Sequence, residues 1–355
     1  MKKLFLFSLI FSVSAIHWGY SQTTSPAQTL RLARSTFEQG RLHELPGLLE
    51  KYLKNGFSTS EKIEAYKLLT QAYIYLEEPE KADQSMLDLL RTDHFFEINE
   101  AVDPAEFVAL YKTFRTKPVY KLGVKVGPNT TFPTVLDNYY VGNDAAGNGK
   151  YKQQVGFQFG VSFEKDLFLT SSNNFLKKLT FAPEIQYTTR SFKYTNSTIF
   201  MNDSTGESAG TSLIIYKQNW LDLNILMQYA IKDTRLNPYV GFGPGIGYLV
   251  SASNQQTFNP LAGSTVSGPN LDVKESYNKT MYSLIGVAGI KVRAGAIYLN
   301  AEVRLQYGLS NVINPKKRTN SESVFDYASQ FNNFKQSNAA INIGAVYPIF
   351  NPKKL

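Results

Sequence analysis

Residues 297–309 read Ile-Tyr-Leu-Asn-Ala-Glu-Val-Arg-Leu-Gln-Tyr-Gly-Leu. Ile297, Leu299, Ala301, Val303, Leu305, Tyr307 and Leu309 share one parity, and Tyr298, Asn300, Glu302, Arg304, Gln306 and Gly308 the other. A period of two sends successive side chains to opposite faces, which is strand geometry and not helical. The run is longer than the usual globular strand of about five or six residues. It suits a tilted membrane-crossing strand, which needs about 9–11 residues, with some extension beyond the bilayer. One face suits lipid, and the other carries an acid and a base that need a polar interior.

Seven further runs alternate in the same way, at 121–126, 155–164, 179–188, 221–229, 240–248, 284–293 and 341–347. The connections between the eight runs alternate in length. Those at 128–153, 191–216, 250–280 and 310–336 are long, and those at 165–178, 232–236 and 295 are short. Transmembrane barrels have short periplasmic turns and long outer loops. The fold class expected for residues 118–355 is therefore an eight-stranded antiparallel transmembrane β-barrel. A soluble lipocalin-like barrel would turn the apolar set inward around a ligand. The loop asymmetry, and aromatics near strand ends (Tyr187, Trp220, Tyr248, Tyr307, Tyr347, Phe350) that suit membrane girdles, favour the membrane form.

The chain opens with the marks of export. Lys2 and Lys3 precede an apolar run from Leu4 to Ile16, too short to span a bilayer as a helix and right for a signal peptide over 1–21. Cysteine is absent, which excludes disulfides, thiolate metal sites and a cysteine-linked lipid anchor. The formal charge is +8. From Thr23 to Pro118 there are 12 basic and 15 acidic residues, and from Val119 onward 23 and 14. For an exported chain the basic excess points to anionic lipid headgroups and not to nucleic acid.

Residues 22–117 lack strand periodicity and predict a helical domain, making the whole chain α+β and multidomain. Apolar stripes recur at helical spacing through Leu30, Ala33 and Phe37; through Leu42, Leu45, Leu49 and Leu53; through Ile63, Tyr66, Leu69 and Leu76; and through Ala82, Met86, Leu89 and Leu90. Gly40 and Asn55-Gly56 end two of these helices, Ser60 with Glu61 and Glu64 starts one, and Pro79 starts another. A fifth helix follows Asp103-Pro104. The turn at Phe37-x-x-Gly40-Arg41 echoes that at residues 75–82, resembling tetratricopeptide-like helix pairs of period about 34. Such stacks bind peptides in a groove or act as spacers. The expected location is the outer membrane, with this domain in the periplasm and the long loops outside.

Lys125, Glu184, Asp222, Lys291, Arg293, Glu302 and Arg304 point into the barrel in this register. Eight strands leave room only for side chains, so opposite charges there predict an ion-pair core in preference to a conduction path. The three histidines are His17, His43 and His94, none in the barrel, which removes histidine-assisted chemistry and a histidine metal site there. No catalytic, cofactor or metal set stands out. Gly241, Gly243, Gly245 and Gly247 alternate strictly and have no following helix, so they make room for bulky neighbours and do not form a nucleotide loop. Lys316-Lys317-Arg318 reads first as a solvated loop charge run and second as a contact for lipopolysaccharide phosphates. Tyr139-Tyr140, Phe200 and Phe325 are loop aromatics that could grip a partner, in loops whose Asn, Ser and Gly content points to mobility.

The strand count, Tyr-Leu-Asn-Ala-Glu-Val-Arg at 298–304 and the glycine-rich Pro-Tyr-Val-Gly-Phe-Gly-Pro-Gly-Ile-Gly at 238–247 together resemble the PorT-like outer-membrane barrel family of Bacteroidota. The resemblance covers 119–355 and implies an eight-stranded barrel; one member assists a secretion system. The N-terminal helices depart from the family's short form. The expectation is a non-enzymatic barrel in outer-membrane lipid and lipopolysaccharide, anchoring a periplasmic module that binds a periplasmic or outer-membrane protein. A narrow or gated pore is the alternative.

Overall fold

The computed structural model describes residues 25–139, 149–169, 171–197, 208–232, 235–318 and 331–355. The expected signal peptide, His17, Tyr140, Phe200 and Phe325 lie outside them. The chain forms two compact units: residues up to Lys117 together with Phe350–Leu355, and Pro118–Ile349.

The first unit holds α1 (Pro26–Glu38), α2 (Leu45–Lys54), α3 (Thr59–Tyr75), α4 (Pro79–Thr92) and α5 (Ala105–Lys112). Local chemistry sets the helix starts. Ser25 and Gln28 form a capping box with Pro26 in the first turn, and Pro79 opens α4. Ser58, not Ser60, caps α3, because Ser58-x-x-Glu61 has the reciprocal spacing of a capping box. Leu30, Ala33, Leu45, Leu49, Ala65 and Leu69 make one buried cluster; Met86, Leu89, Leu90, Phe107 and Phe114 make a second.

Both α1 and α3 end in the same reversal. The Arg41 N–H donates to the Thr36 carbonyl and the Glu78 N–H to the Tyr73 carbonyl, each five residues back, as in a Schellman cap. Gly40 (φ 76°) and Glu77 (φ 56°) hold the left-handed position between them. Glu77 therefore does a glycine's task with a side chain attached.

Phe350–Leu355, expected within the barrel domain, belongs to the helical unit. The Arg115 N–H donates to the Lys353 carbonyl (2.9 Å) and the Leu355 N–H to the Thr113 carbonyl (2.8 Å). Phe350 stacks on His94 at 5.0 Å and meets Phe95 edge-on at 5.1 Å, so it is not a girdle aromatic.

The second unit is a closed antiparallel ring. Its strands are β1 (Tyr120–Asp137), β3 (Val155–Asp166), β4 (Leu179–Asn196), β5 (Gly210–Ala230), β6 (Leu236–Pro260), β8 (Thr280–Ala294), β9 (Ile297–Gly308) and β10 (Asn333–Ile349). Each pairs with the next, and β10 closes on β1. Two short strands lie off the ring: β2 (Lys150–Gln153) on β4 and β7 (Val266–Asp272) on β6. We call the end holding Tyr120 and Ile349 proximal and the other distal. Much of the sequence expected as long loop at the distal end is strand. β5 has 21 residues and β6 has 25, well beyond a membrane crossing.

The register is decided in β9. Leu305 is 63 % exposed and Val303 52 %, while Glu302 and Arg304 are each 2 % exposed. The apolar face points outward and the charged face inward, the reverse of a lipocalin. The outward apolar band continues around the ring through Val124, Phe159, Ile185, Ile225, Phe242, Leu284 and Ile343.

Toward the distal end of β4 and β5 the parity holds but the chemistry inverts. On β4 the outward series passes from Ile185 and Tyr187 to Thr189 and Lys193; the inward series passes from Glu184 and Arg190 to Phe192 and Tyr194. On β5, Leu223 and Leu221 outward give way to Asn219 and Lys217, while Asp222 inward gives way to Trp220 and Tyr216. Trp220, expected in a girdle, is fully buried inside. The inward distal side chains form one aromatic-rich core that includes Phe192, Tyr194, Tyr216, Trp220, Tyr277 and Phe334.

Two outcomes are expected for the helical unit. Glu77→Gly relieves a left-handed strain of about 1–2 kcal/mol, partly offset by glycine's entropy, and raises stability by about 0.5–1 kcal/mol. Urea unfolding followed by helical circular dichroism measures it. Burial pushes the Asp103 carboxyl up, but the Lys67 ammonium and the Asn99 N–H (2.8 Å) outweigh it and hold its pKa below the ordinary aspartate value. A depressed folded pKa means that its contribution is full above about pH 4 and lost as pH falls through the lower folded value. Asp103→Asn costs about 1.5–3 kcal/mol at pH 7 and flattens that acid limb.

Candidate functional site

The proximal half of the lumen holds the charges, in layers set by strand register. At the proximal rim Lys121 meets Asp166 at 3.2 Å, and the Thr180 hydroxyl donates to Asp166 at 2.6 Å. Next, Lys291 donates to both oxygens of Glu164 at 2.7 Å and to Gln228 at 3.0 Å. Its ammonium also sits 4.6 Å from the centre of the Tyr239 ring.

The central layer is the densest. Lys125 bridges Glu184 and Glu302, the latter at 2.9 Å. Arg304 bridges the same two carboxylates, meeting Glu302 at 3.1 Å, and donates to Gln186 at 3.0 Å. The Tyr239 hydroxyl and the Asn342 amide complete Glu302, at 2.7 and 3.0 Å. Above it, Arg190 donates to both oxygens of Asp222 (3.1 and 2.9 Å) and to Gln306 (3.1 Å). The Thr188 hydroxyl adds a bond to Asp222, and the Arg190 guanidinium lies 5.3 Å from the Trp220 ring centre.

The five cations Lys121, Lys125, Arg190, Lys291 and Arg304 thus face the five anions Glu164, Asp166, Glu184, Asp222 and Glu302, and the ladder is neutral. Each carboxylate carries a cation at contact distance, so none stands open to an incoming solute. Beyond Trp220 the aromatic core fills the distal lumen, and the chain lies across that mouth: Ile313 bridges to Tyr277, and the Val312 N–H donates to the Phe334 carbonyl at 3.0 Å. A concavity of about 630 Å³ opens instead on the outward wall, among Leu122, Val124, Val161, Phe163, Ile185 and Tyr347.

Of the residues singled out in the sequence, Lys125, Glu184, Glu302 and Arg304 meet in the central layer; Lys291 and Asp222 sit in neighbouring layers. Arg293 does not join them. It has the inward parity, but β8 ends at Ala294, which leaves it half-buried at the proximal rim. Glu164, Asp166, Lys121, Arg190 and Tyr239 are site members that the sequence does not single out. Glu164 and Lys121 have the right parity in their runs. Arg190 continues the Glu184–Gln186–Thr188 series, beyond the point where the apolar alternation stops at 188.

The alternate glycines of β6 do make room. A Cβ at Gly247 would come 2.6 Å from an Asp222 carboxylate oxygen, and one at Gly241 would come 2.7 Å from a Val287 methyl. Of the basic run, Lys317 pairs with Glu275, and Arg318 is buried over the Tyr139 ring at 4.4 Å.

A model of the outer membrane protein β-barrel domain matches residues 117–314. The chain belongs to that family. Among solved structures, the barrel of Neisserial surface protein A is 14 % identical over 67 % of this chain and 97 % of its own, with a TM-score of 0.31. OprG from Pseudomonas aeruginosa is 14 % identical over 66 % and 98 %, at 0.33. A major outer membrane protein from Thermus thermophilus is 11 % identical over 64 % and 98 %, at 0.32. No curated protein matches the chain. This outer-membrane barrel keeps its ionisable lumen residues on the face turned away from lipid.

Arg190 and Asp222 are both fully buried, so removing one strands the other's charge. Arg190→Met is expected to destabilise the barrel by about 3–5 kcal/mol, and Arg190→Met with Asp222→Leu to recover most of that loss. Urea unfolding of the barrel in lipid or detergent measures both.

Proposed function

We propose that this outer-membrane barrel is a sealed, non-enzymatic anchor, and that its helical unit lies in the periplasm and binds a protein partner there. The filled lumen carries the reading. An eight-stranded interior has room only for side chains. Here that room is taken by a neutral ion-pair ladder and, distally, by an aromatic core. A narrow pore would need a continuous polar path, and the Trp220–Tyr277–Phe334 layer interrupts it.

The orientation follows from chain order. An exported helical segment precedes β1, so β1 runs outward and the distal end faces the exterior. Two helix pairs whose first members end in the same left-handed cap, at Gly40 and at Glu77, support a tetratricopeptide-like module. The resemblance to PorT-like barrels offers an accessory role in secretion only as a less favoured alternative, because a shared fold does not carry a role with it.

Planar-bilayer recording of the purified protein is expected to show no steady channel. Stable openings abolished by neutralising Glu302 or Arg304 would favour the pore instead. Photo-crosslinkers placed at the exposed Leu32 and Tyr75 in cells are expected to capture a defined envelope protein. Capture of lipid alone would contradict the module's binding role.

A further inference from the structure

Beyond the apolar band, the outer wall of the barrel carries a row of lysines. Lys150 and Lys152 lie on β2, Lys193 on β4 and Lys217 on β5. Lys152 and Lys193 are directly opposed across the β2–β4 pairing. Lys193 is opposite Ile215, which makes Lys217, two residues along β5, its diagonal neighbour. Their outward direction is fixed from behind: Tyr151, Phe192, Tyr194 and Tyr216 alternate with them and pack into the distal core.

Like charges directly opposed on a sheet cost stability. Acids offset that cost elsewhere: Lys317 has Glu275, Lys121 has Asp166 and Lys354 has Asp83. Here the surrounding outward positions are Thr189, Ser191, Thr195 and Asn219, with Ser251, Ser253 and Gln255 across β6. None is acidic; the next outward acid along the row is Asp272 of β7, opposite Ser253, and none of the four lysines forms an ion pair with a described residue. Toward the proximal end of β4 and β5, and on the adjoining β3, the wall becomes Tyr187, Leu221, Leu223 and Phe159. A cation row beyond a lipid-facing apolar wall, separated from it on β4 and β5 by Thr189, Ser191 and Asn219, complements an amphiphile with anionic headgroup and acyl chains.

We infer that Lys152, Lys193 and Lys217, with Lys150, bind the phosphate groups of an outer-leaflet glycolipid of the lipopolysaccharide class, whose acyl chains lie on the band below. The inference rests on the proposed orientation, with the distal end outside. The row takes the role that the charge run at 316–318 suggested in the sequence, where Lys317 and Arg318 are already engaged.

The test uses full-length protein in detergent and native mass spectrometry with bisphosphorylated lipid A and its dephosphorylated form. K152Q/K193Q/K217Q is expected to bind phosphorylated lipid A about 30- to 100-fold more weakly, at about a few-fold to tenfold per lysine. Wild type should bind the dephosphorylated form as weakly, and K165Q/K177Q, at the proximal end, should match wild type. Retained circular dichroism and heat-modifiable migration confirm that the variants fold. Unchanged affinity in the triple variant, equal binding of the dephosphorylated lipid, or displacement of lipid A by equimolar inorganic phosphate would overturn the site. Orientation has its own arm. The chain has no cysteine, so Ser264→Cys in the exposed distal connection should react with an impermeant maleimide on intact cells. Failure to label there, with lipid A binding intact, would overturn the outer-leaflet assignment while leaving an anion site.

Discussion

A strand that crosses hydrocarbon can place a charge in only one direction. Its backbone bonds are spent on its neighbours, so its polarity lies in side chains, and those alternate between lipid and lumen. Every ionisable group of the crossing must therefore face inward, into an interior about one side chain deep. Lys125 and Arg304 share Glu184 and Glu302 because there is no water-filled space to keep them apart. The neutrality of the ladder, the shared carboxylates and the glycines of β6 that make space for Asp222 and Val287 all follow from that confinement.

The same strands continue into water, where the demand reverses. On β4 and β5 the parity is unchanged, while a bulge at Val250 shifts it on β6. The outward residues become Thr, Asn and Lys, and the inward ones Phe, Tyr and Trp beside the buried amides of Gln218, Asn254 and Gln336. One barrel thus has two interiors, a charged one against lipid and a dry one against solvent, joined where Arg190 lies over Trp220. The dry interior has enough aromatic area to hold long strands together without a membrane, and it closes the distal end of the lumen.

This inversion also explains which parts of the sequence are legible. Within the apolar band, alternation is strong, and all eight strands and most of the charged lumen residues follow from it. Past Thr188 on β4 and below Leu221 on β5 the alternation persists, but hydropathy changes sides, so the strands seem to end. Arg190 is hidden there, Trp220 passes for a girdle aromatic, and the distal extensions read as loops. Arg293 enters by parity alone, although the turn at Gly295 (φ 62°) already places it at the last positions of β8, at the rim and not in the lumen. In the helical unit the stops and starts are legible where glycine or proline supplies them. The left-handed Glu77 is not, because the reversal there is imposed by packing on a residue with no preference for it.

The central claim is that lipid meets the outer wall only as far as Leu221 and that water meets it beyond. Nitroxide labels placed singly at 227, 225, 223, 221, 219 and 217 of β5, in the cysteine-free chain reconstituted into bilayers, read this directly by their collision rates with oxygen and with a polar nickel chelate. The expected result is oxygen-dominated collisions from 227 to 221 and chelate-dominated collisions at 219 and 217. Oxygen-dominated collisions through 217, or chelate access at 225 and 223, would contradict it.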